Sequence, residues 1–127
     1  MAYKVLVVDD SKTARKEISR IIHNHGIITV EAENGKAALD MLKTKKGIFL
    51  VFCDVNMPEM NGLEFLENVK NDASLKDIPI IMLTSEATRD VMEKAKGLGV
   101  TGWILKPAES MIIKSLLDRF GEQANAG

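Results

Sequence analysis

The sequence predicts an α/β fold, a doubly wound parallel sheet of five strands with five helices, on three observations. Five short apolar runs alternate with five stretches of helical periodicity. The middle run, Ile48–Cys53, is apolar at consecutive positions, as expected of a strand covered on both faces. Charged residues stand at the exits of the runs rather than inside them, where burial would be costly. Strict strand–helix alternation implies a parallel sheet with right-handed crossovers and helices on both faces. Ligands of such sheets bind beyond the carboxyl ends of the strands.

The first strand is read at Lys4–Val8. Ala14, Ile18, Ile21 and Ile22 then recur at helical spacing over Lys12–His25, and His25-Gly26 closes that helix. A second strand near Ile27–Glu31 leads to the turn signal Asn34-Gly35 and an Ala/Leu-rich helix to about Lys46. The basic stretch Lys43-Thr44-Lys45-Lys46 at its end complements the helix dipole rather than gripping phosphate. After the third strand and the loop Val55–Asn61, Leu66 and Val69 mark a third helix. Ile78–Leu83 is the fourth strand, entered through Pro79, a residue tolerated at a strand start. Val91, Ala95 and Leu98 outline a fourth helix that stops at Gly97 or Gly99, and Thr101–Leu105 is the fifth strand. Ile112, Ile113, Leu116, Leu117 and Phe120 form the core face of a last helix, expected to fray into Gly121–Gly127.

A chain of 127 residues, 46% apolar and 28% charged, has the make-up of one soluble globular domain and argues against disorder. The net charge of −1 gives no global attraction to nucleic acid or an anionic membrane. Cys53 is the single cysteine, which excludes an intramolecular disulfide, and its apolar run makes it a small core residue. The chain opens straight into a strand without a signal-peptide pattern, and no apolar run approaches the roughly 18 residues of a membrane span. A cytoplasmic protein is expected, with no linker, repeat or second domain.

Asp9 and Asp10 follow the first strand, Asp54 the third and Lys106 the fifth. One Asp there is accounted for as a helix N-cap, a role Ser11 can also fill, but a cap does not need a second carboxylate. Three converging carboxylates repel one another without a cation, and hard oxygen donors in an open site suit Mg2+. Lys106, followed by Pro107, is a compact charge that pairs with Asp54 at rest and binds an anion when one arrives. Thr84 brings a hydroxyl to the same region, its plainer reading being a cap for the next helix. Carboxylate, metal, lysine and hydroxyl together make a phosphoryl-transfer site, which works by positioning and electrostatics. Asp54 is the expected nucleophile, giving an acyl phosphate.

Val8-Asp9-Asp10-Ser11, the run from Asp54 to Gly62, Thr84-Ser85 and Lys106-Pro107 occur in this order and spacing. Through them the chain, from about Lys4 to Phe120, resembles the receiver domain of bacterial two-component response regulators. The resemblance implies a flavodoxin-like receiver fold with strand order 2-1-3-4-5. It also implies a receiver domain over residues 1–121 and a short C-terminal tail over 122–127. It makes Asp54 the phosphoacceptor, Asp10 and Asp54 direct Mg2+ ligands, Asp9 a ligand through water, and the Asn56 backbone carbonyl the remaining protein ligand. Thr84 and Lys106 hold the phosphoryl oxygens, and Thr84 and Trp103 form the switch. Trp103 stands where Tyr or Phe is usual, and Ala108 where an aromatic is common. Asn56 and Glu86 hold the positions that influence phosphate lifetime, and their polar side chains imply rapid autodephosphorylation. His23 and His25 are read as helix-end residues.

The same resemblance implies a response regulator that takes phosphate from a histidine kinase and catalyses only its own phosphorylation and autodephosphorylation. Output comes from a partner docking on the fourth helix, fifth strand and fifth helix, about Arg89–Phe120. That partner is a flagellar motor switch protein in chemotaxis, and the regulator is a monomer. The alternative is a phosphate sink or a phosphorelay intermediate that passes phosphate to a histidine phosphotransfer domain. An aspartate-nucleophile phosphatase carries a second Asp two residues after the nucleophile, where this chain has Asn56. A flavodoxin-like cofactor binder has a Gly-rich loop after strand one, where this chain has Asp9-Asp10.

Overall fold

The computed structural model describes residues 3–85 and 88–126, with side chains as far as 122. In chain order the elements are β1 (Lys4–Val8), α1 (Lys12–Asn24), β2 (Ile28–Ala32), α2 (Gly35–Thr44), β3 (Ile48–Cys53), α3 (Gly62–Lys70), β4 (Ile80–Thr84), α4 (Arg89–Gly97), β5 (Gly102–Leu105) and α5 (Ser110–Ala126). The strands make one parallel sheet in the order β2-β1-β3-β4-β5, so the winding reverses between β1 and β3. Among the described residues no helix is long and apolar enough to cross a membrane.

Side chains alternate across a strand with period two, and here both faces are covered. Leu6, Val8, Val51, Cys53, Ile80 and Met82 point into the core shared with α2, α3 and α4. Val5, Val7, Leu50, Phe52, Ile81 and Leu83 point into the core shared with α1 and α5. This two-sided burial is why the central strands read as unbroken apolar runs. The helices contribute unequally: α3 buries Phe65, Leu66 and Val69, whereas α4 buries only Ala95.

Side-chain caps fix where the strand-to-helix loops end. Ser11 accepts from the Ala14 N–H, Asn34 from Ala37 and Thr88 from Val91. Asn61 and Glu64 form a reciprocal capping box at α3. Each such cap contributes about 1 kcal/mol. Thus Ser11 caps α1 and leaves both Asp9 and Asp10 for other work, while Thr88, not Thr84, caps α4.

Several boundaries differ from expectation for local reasons. Asn34-Gly35, read as a turn, is the N-cap and first residue of α2, and that helix ends at Thr44 because Lys45 is extended. Strand β4 begins at Ile80 rather than Ile78 and runs one residue further, to Thr84. Thr101 lies just outside β5, its hydroxyl accepting from the Ile80 N–H at 3.0 Å. Helix α5, expected to fray after Phe120, stays helical to Ala126. A single Gly121 costs only about 1 kcal/mol against Ala, and good helix formers follow it.

Candidate functional site

Register brings the charged residues to one edge. Val8 pairs with Cys53, and the Asp54 N–H donates to the Val8 carbonyl at 2.9 Å, so Asp9 and Asp54 leave the sheet side by side. On the far side of β4, Thr84 pairs with Leu105, and the Lys106 N–H donates to the Thr84 carbonyl at 2.9 Å. The long lysine side chain then reaches back across the sheet edge. Its Nζ lies 2.5 Å from Asp9 Oδ2 and 3.3 Å from Asp54 Oδ2. The expected pair with Asp54 is therefore present but is the longer of two contacts. Asp9, only 3% exposed, is the more buried anion and takes the shorter one.

The remaining oxygens are held by main chain. Asp9 Oδ1 accepts from the Ser11 N–H at 2.9 Å, and Asp54 Oδ1 from the Val55 N–H at 2.7 Å. Asp10 is exposed. One oxygen from each of Asp9, Asp10 and Asp54 lies within 4.8 Å of the others. Three carboxylates against one lysine leave an excess of negative charge facing solvent. The donors are all hard oxygens and one side is open, which fits Mg2+ and disfavours metals that select thiolate or imidazole.

Electrostatics follow from this geometry. Burial pulls the Lys106 ammonium down, but the hydrogen bond it donates to Asp9 and the charges of Asp54 and Asp9 outweigh it and leave its pKa raised. The lysine is thus firmly cationic at neutral pH. Cys53 is fully buried, and burial plus the neighbouring carboxylates push its thiol well up. It is a core residue rather than a nucleophile.

The loop after Asp54 is clasped by two close approaches. The Gly62 N–H donates to the Val55 carbonyl at 2.8 Å, and a Cβ at Gly62 would stand 2.2 Å from the Asp54 carbonyl oxygen. The Gly35 N–H donates to the Met60 carbonyl at 2.9 Å, and a Cβ there would stand 2.6 Å from it. Gly62 is visible in the sequence as part of a motif, without this packing role. Two further residues carry no sequence signal. Arg15 Nη1 donates to the Asp9 carbonyl at 2.8 Å, and its Nε lies 3.2 Å from Glu31 Oε1. Those partners lie in other elements, beyond the reach of local spacing rules.

The other expected site residues fall as follows. Thr84 is fully buried at the end of β4, and Asn56 is exposed, two residues after Asp54. Glu86 lies outside the described residues. Trp103 is half-buried on β5 and packs against the core shared with α4, its Nε1 buried without a hydrogen-bond partner among the described residues. Ala108 packs against the opposite core. The histidines stay away from the site: His23 pairs with Thr29 at 2.8 Å and His25 with Asp118 at 2.7 Å, as helix-end residues. Along Arg89–Phe120, a groove of about 510 Å³ runs between α4 and β5, lined by Arg89, Met92, Lys96 and Trp103 among others. Met92, Leu105, Met111 and Ile112 are exposed nearby.

Comparison with known proteins agrees with this architecture. Residues 5–118 match the family described as the response regulator receiver domain. The chain is 38% identical over 123 residues to the chemotaxis protein CheY of Pseudomonas aeruginosa, covering 96% of this chain and 98% of that protein. Among solved structures, Vibrio cholerae chemotaxis protein CheY4 superposes with a TM-score of 0.85 at 33% identity, covering 94% of this chain and 99% of that one. The receiver domain of a signal transduction histidine kinase from Syntrophus aciditrophicus gives a TM-score of 0.85 at 28% identity, covering 94% and 89%.

Proposed function

The chain belongs to the response-regulator receiver family, and on that premise we propose that Asp54 is its phosphoacceptor and that the phosphorylated form signals in chemotaxis. The observation that carries this reading is the convergence of Asp9, Asp10 and Asp54 under a lysine that bridges two of them. Asp54 Oδ1 is occupied by the Val55 N–H, which leaves Oδ2, beside Lys106, as the oxygen that attacks phosphorus. An O–P bond forms as the P–N bond to a phosphohistidine of the kinase breaks, and the electron pair leaves on the imidazole nitrogen. No proton need move at Asp54.

Lys106 exchanges carboxylate partners for a phosphoryl oxygen as the charge on Asp54 spreads outward. Thr84, at the end of the adjoining strand, supplies a hydroxyl to the same group. Asp10, Asp54 and the Asn56 carbonyl would hold Mg2+, with Asp9 contributing through water. Bound there, the ion would supply positive charge to offset that on the phosphoryl oxygens. Exposed Asn56 admits and orients the water that later hydrolyses the acyl phosphate, and Glu86 is assigned a matching role by its position.

Output follows from the link between Lys106, Thr84 and β5. Movement of Thr84 toward phosphate opens space for Trp103 to pack inward, a population shift set by how much better the active state holds the phosphoryl group. The face from Arg89 to Phe120 then docks a flagellar motor switch protein; the exposed Met92, Leu105, Met111 and Ile112 support a docking role. The likeness to a receiver within a histidine kinase supports a second reading, a phosphate sink or relay that hands phosphate to a histidine phosphotransfer domain.

Intact-mass spectrometry after incubation with acetyl phosphate tests the site. One Mg2+-dependent phosphoryl adduct is expected on the wild type and none on Asp54→Asn. An adduct that persists in Asp54→Asn would overturn the assignment. Transfer of that phosphate to a histidine phosphotransfer domain, without binding to a motor switch protein, would select the second reading.

A further inference from the structure

Asp9 is tied to its surroundings at four points. Its N–H donates to the Ala32 carbonyl at 3.1 Å, Oδ1 accepts from the Ser11 N–H, and Oδ2 accepts from Lys106. The fourth tie is the carbonyl, which takes Arg15 Nη1 at 2.8 Å. Arg15 is itself held, since its Nε lies on Glu31 Oε1 at 3.2 Å while Glu31 Oε2 holds Lys16 at 3.0 Å. The Arg15 side chain is 15% exposed and that of Glu31 is 22% exposed, so this pair is more than a solvated surface contact. A guanidinium carries its donors on separate nitrogens in a rigid planar fork, so it can span two partners that the single nitrogen of an ammonium, on its flexible stem, would not hold in fixed directions. Here one direction is anchored on β2 and the other on the main chain between the two site aspartates.

We propose that Arg15, oriented by Glu31, is a positioning residue that fixes the Asp9 main chain and so holds the Asp9 and Asp10 carboxylates at the spacing Mg2+ requires. The proposal rests on the reading of Asp9, Asp10 and Asp54 as the Mg2+ site. Three carboxylates gathered before the ion arrives have their mutual repulsion overcome by the fold; without the anchor, Mg2+ must gather them itself. Outer partners that orient metal ligands are commonly worth about 10–100-fold in affinity.

Charge and geometry make opposite forecasts, which renders the idea testable. As a nearby cation Arg15 repels Mg2+, so on charge alone its removal tightens binding. As a positioning group its removal weakens binding. Titration of the unphosphorylated full chain with Mg2+, followed by 15N–1H NMR, reads the Kd and the fold together. Arg15→Ala is expected to raise the Kd about 10-fold, and Arg15→Lys, which keeps the charge but loses the fork, several-fold. Arg20→Ala removes an exposed cation from the same helix that takes no part in the Arg15–Glu31–Asp9 contacts, and should leave the Kd within about twofold because exposed charges are screened.

A Kd unchanged or lowered in a folded Arg15→Ala protein would overturn the proposal. Should Arg15→Ala fail to fold, wild-type affinity in Arg15→Lys overturns it and weakened affinity supports it. A purely structural role would lower the melting temperature without moving the Kd read from folded-state peaks. Absence of any Mg2+ response in the wild type would instead overturn the metal site itself, which separates the two failures.

Discussion

The carboxyl ends of β1 and β3, at the centre of the sheet, and the strip formed by α4 and the outer strand β5 are held in different ways. At the first, Asp9 and Asp54 have both carboxylate oxygens engaged, Arg15 anchors the main chain, and Gly62 lets α3 press against the Asp54 carbonyl. At the second, α4 buries one side chain, β5 is four residues long, and Leu105 is 57% exposed. Trp103 buries its N–H there without a partner among the described residues, which costs about 1–3 kcal/mol relative to a bonded one. A site that must bind Mg2+ and phosphate benefits from preset geometry. A readout surface benefits from elements that shift at small cost, and those come from the weakly buried end of a structure.

The largest expected effect sets two glycines against each other. Gly62→Ala drives a Cβ into the Asp54 carbonyl and should cost about 1–3 kcal/mol or more, whereas Gly97→Ala at the end of α4 meets nothing within 4 Å. The second should stabilise by about 0.5 kcal/mol through the unfolded chain. Urea midpoints that moved equally would break the contrast between the two regions.

Next in size is Lys106→Met, which leaves two nearly buried carboxylates without their shared cation. Without Mg2+ it should destabilise by about 1–3 kcal/mol. Added Mg2+ should then raise its melting temperature more than that of the wild type, since bound ligand stabilises by mass action and the competing cation is gone. An equal Mg2+ response in both proteins would argue against a common place for lysine and metal.

The smallest effect compares two ion pairs. Burial pushes the Glu31 carboxyl up, but the hydrogen bonds of Lys16 and Arg15 and the charge of Lys16 outweigh it and leave the pKa lowered from 4.5. A lowered folded pKa means stability that is present above the unfolded value and lost as pH falls through the folded one. Glu31→Gln should therefore be less stable at pH 7, with the gap closing below about pH 4.5. The Arg89–Glu93 pair on α4 has side chains 90% and 65% exposed, and Glu93→Gln should change the unfolding free energy read from urea titration by about a few tenths of a kcal/mol at most. A larger loss at Glu93 than at Glu31 would reverse the comparison.

Much of this is legible in the chain itself. Apolar runs and helical periods locate all ten elements, because strands buried on both faces read as unbroken apolar runs and helices buried on one face repeat near 3.6. Boundaries slip where a side chain or cap acts across elements, as Thr101 does on Ile80. Asp9, Asp10, Asp54 and Lys106 are legible because a charge directly after a buried strand must emerge at the sheet's carboxyl edge, where ligands of such sheets bind. Arg15 is not, since an arginine on an amphipathic helix resembles any solvated one until β2 brings Glu31 beside it.

The sequence by itself determined the α/β alternation, the two-sided burial of the central strands and the chemical types gathered at the sheet edge, since hydropathy and charge are properties of each residue in place. Only the tertiary structure decided that Lys106 leans on Asp9 before Asp54, that Gly62 touches the Asp54 carbonyl and that Arg15 ties Glu31 to Asp9. Those contacts depend on strand register and crossover geometry, where a shift of one residue exchanges every neighbour.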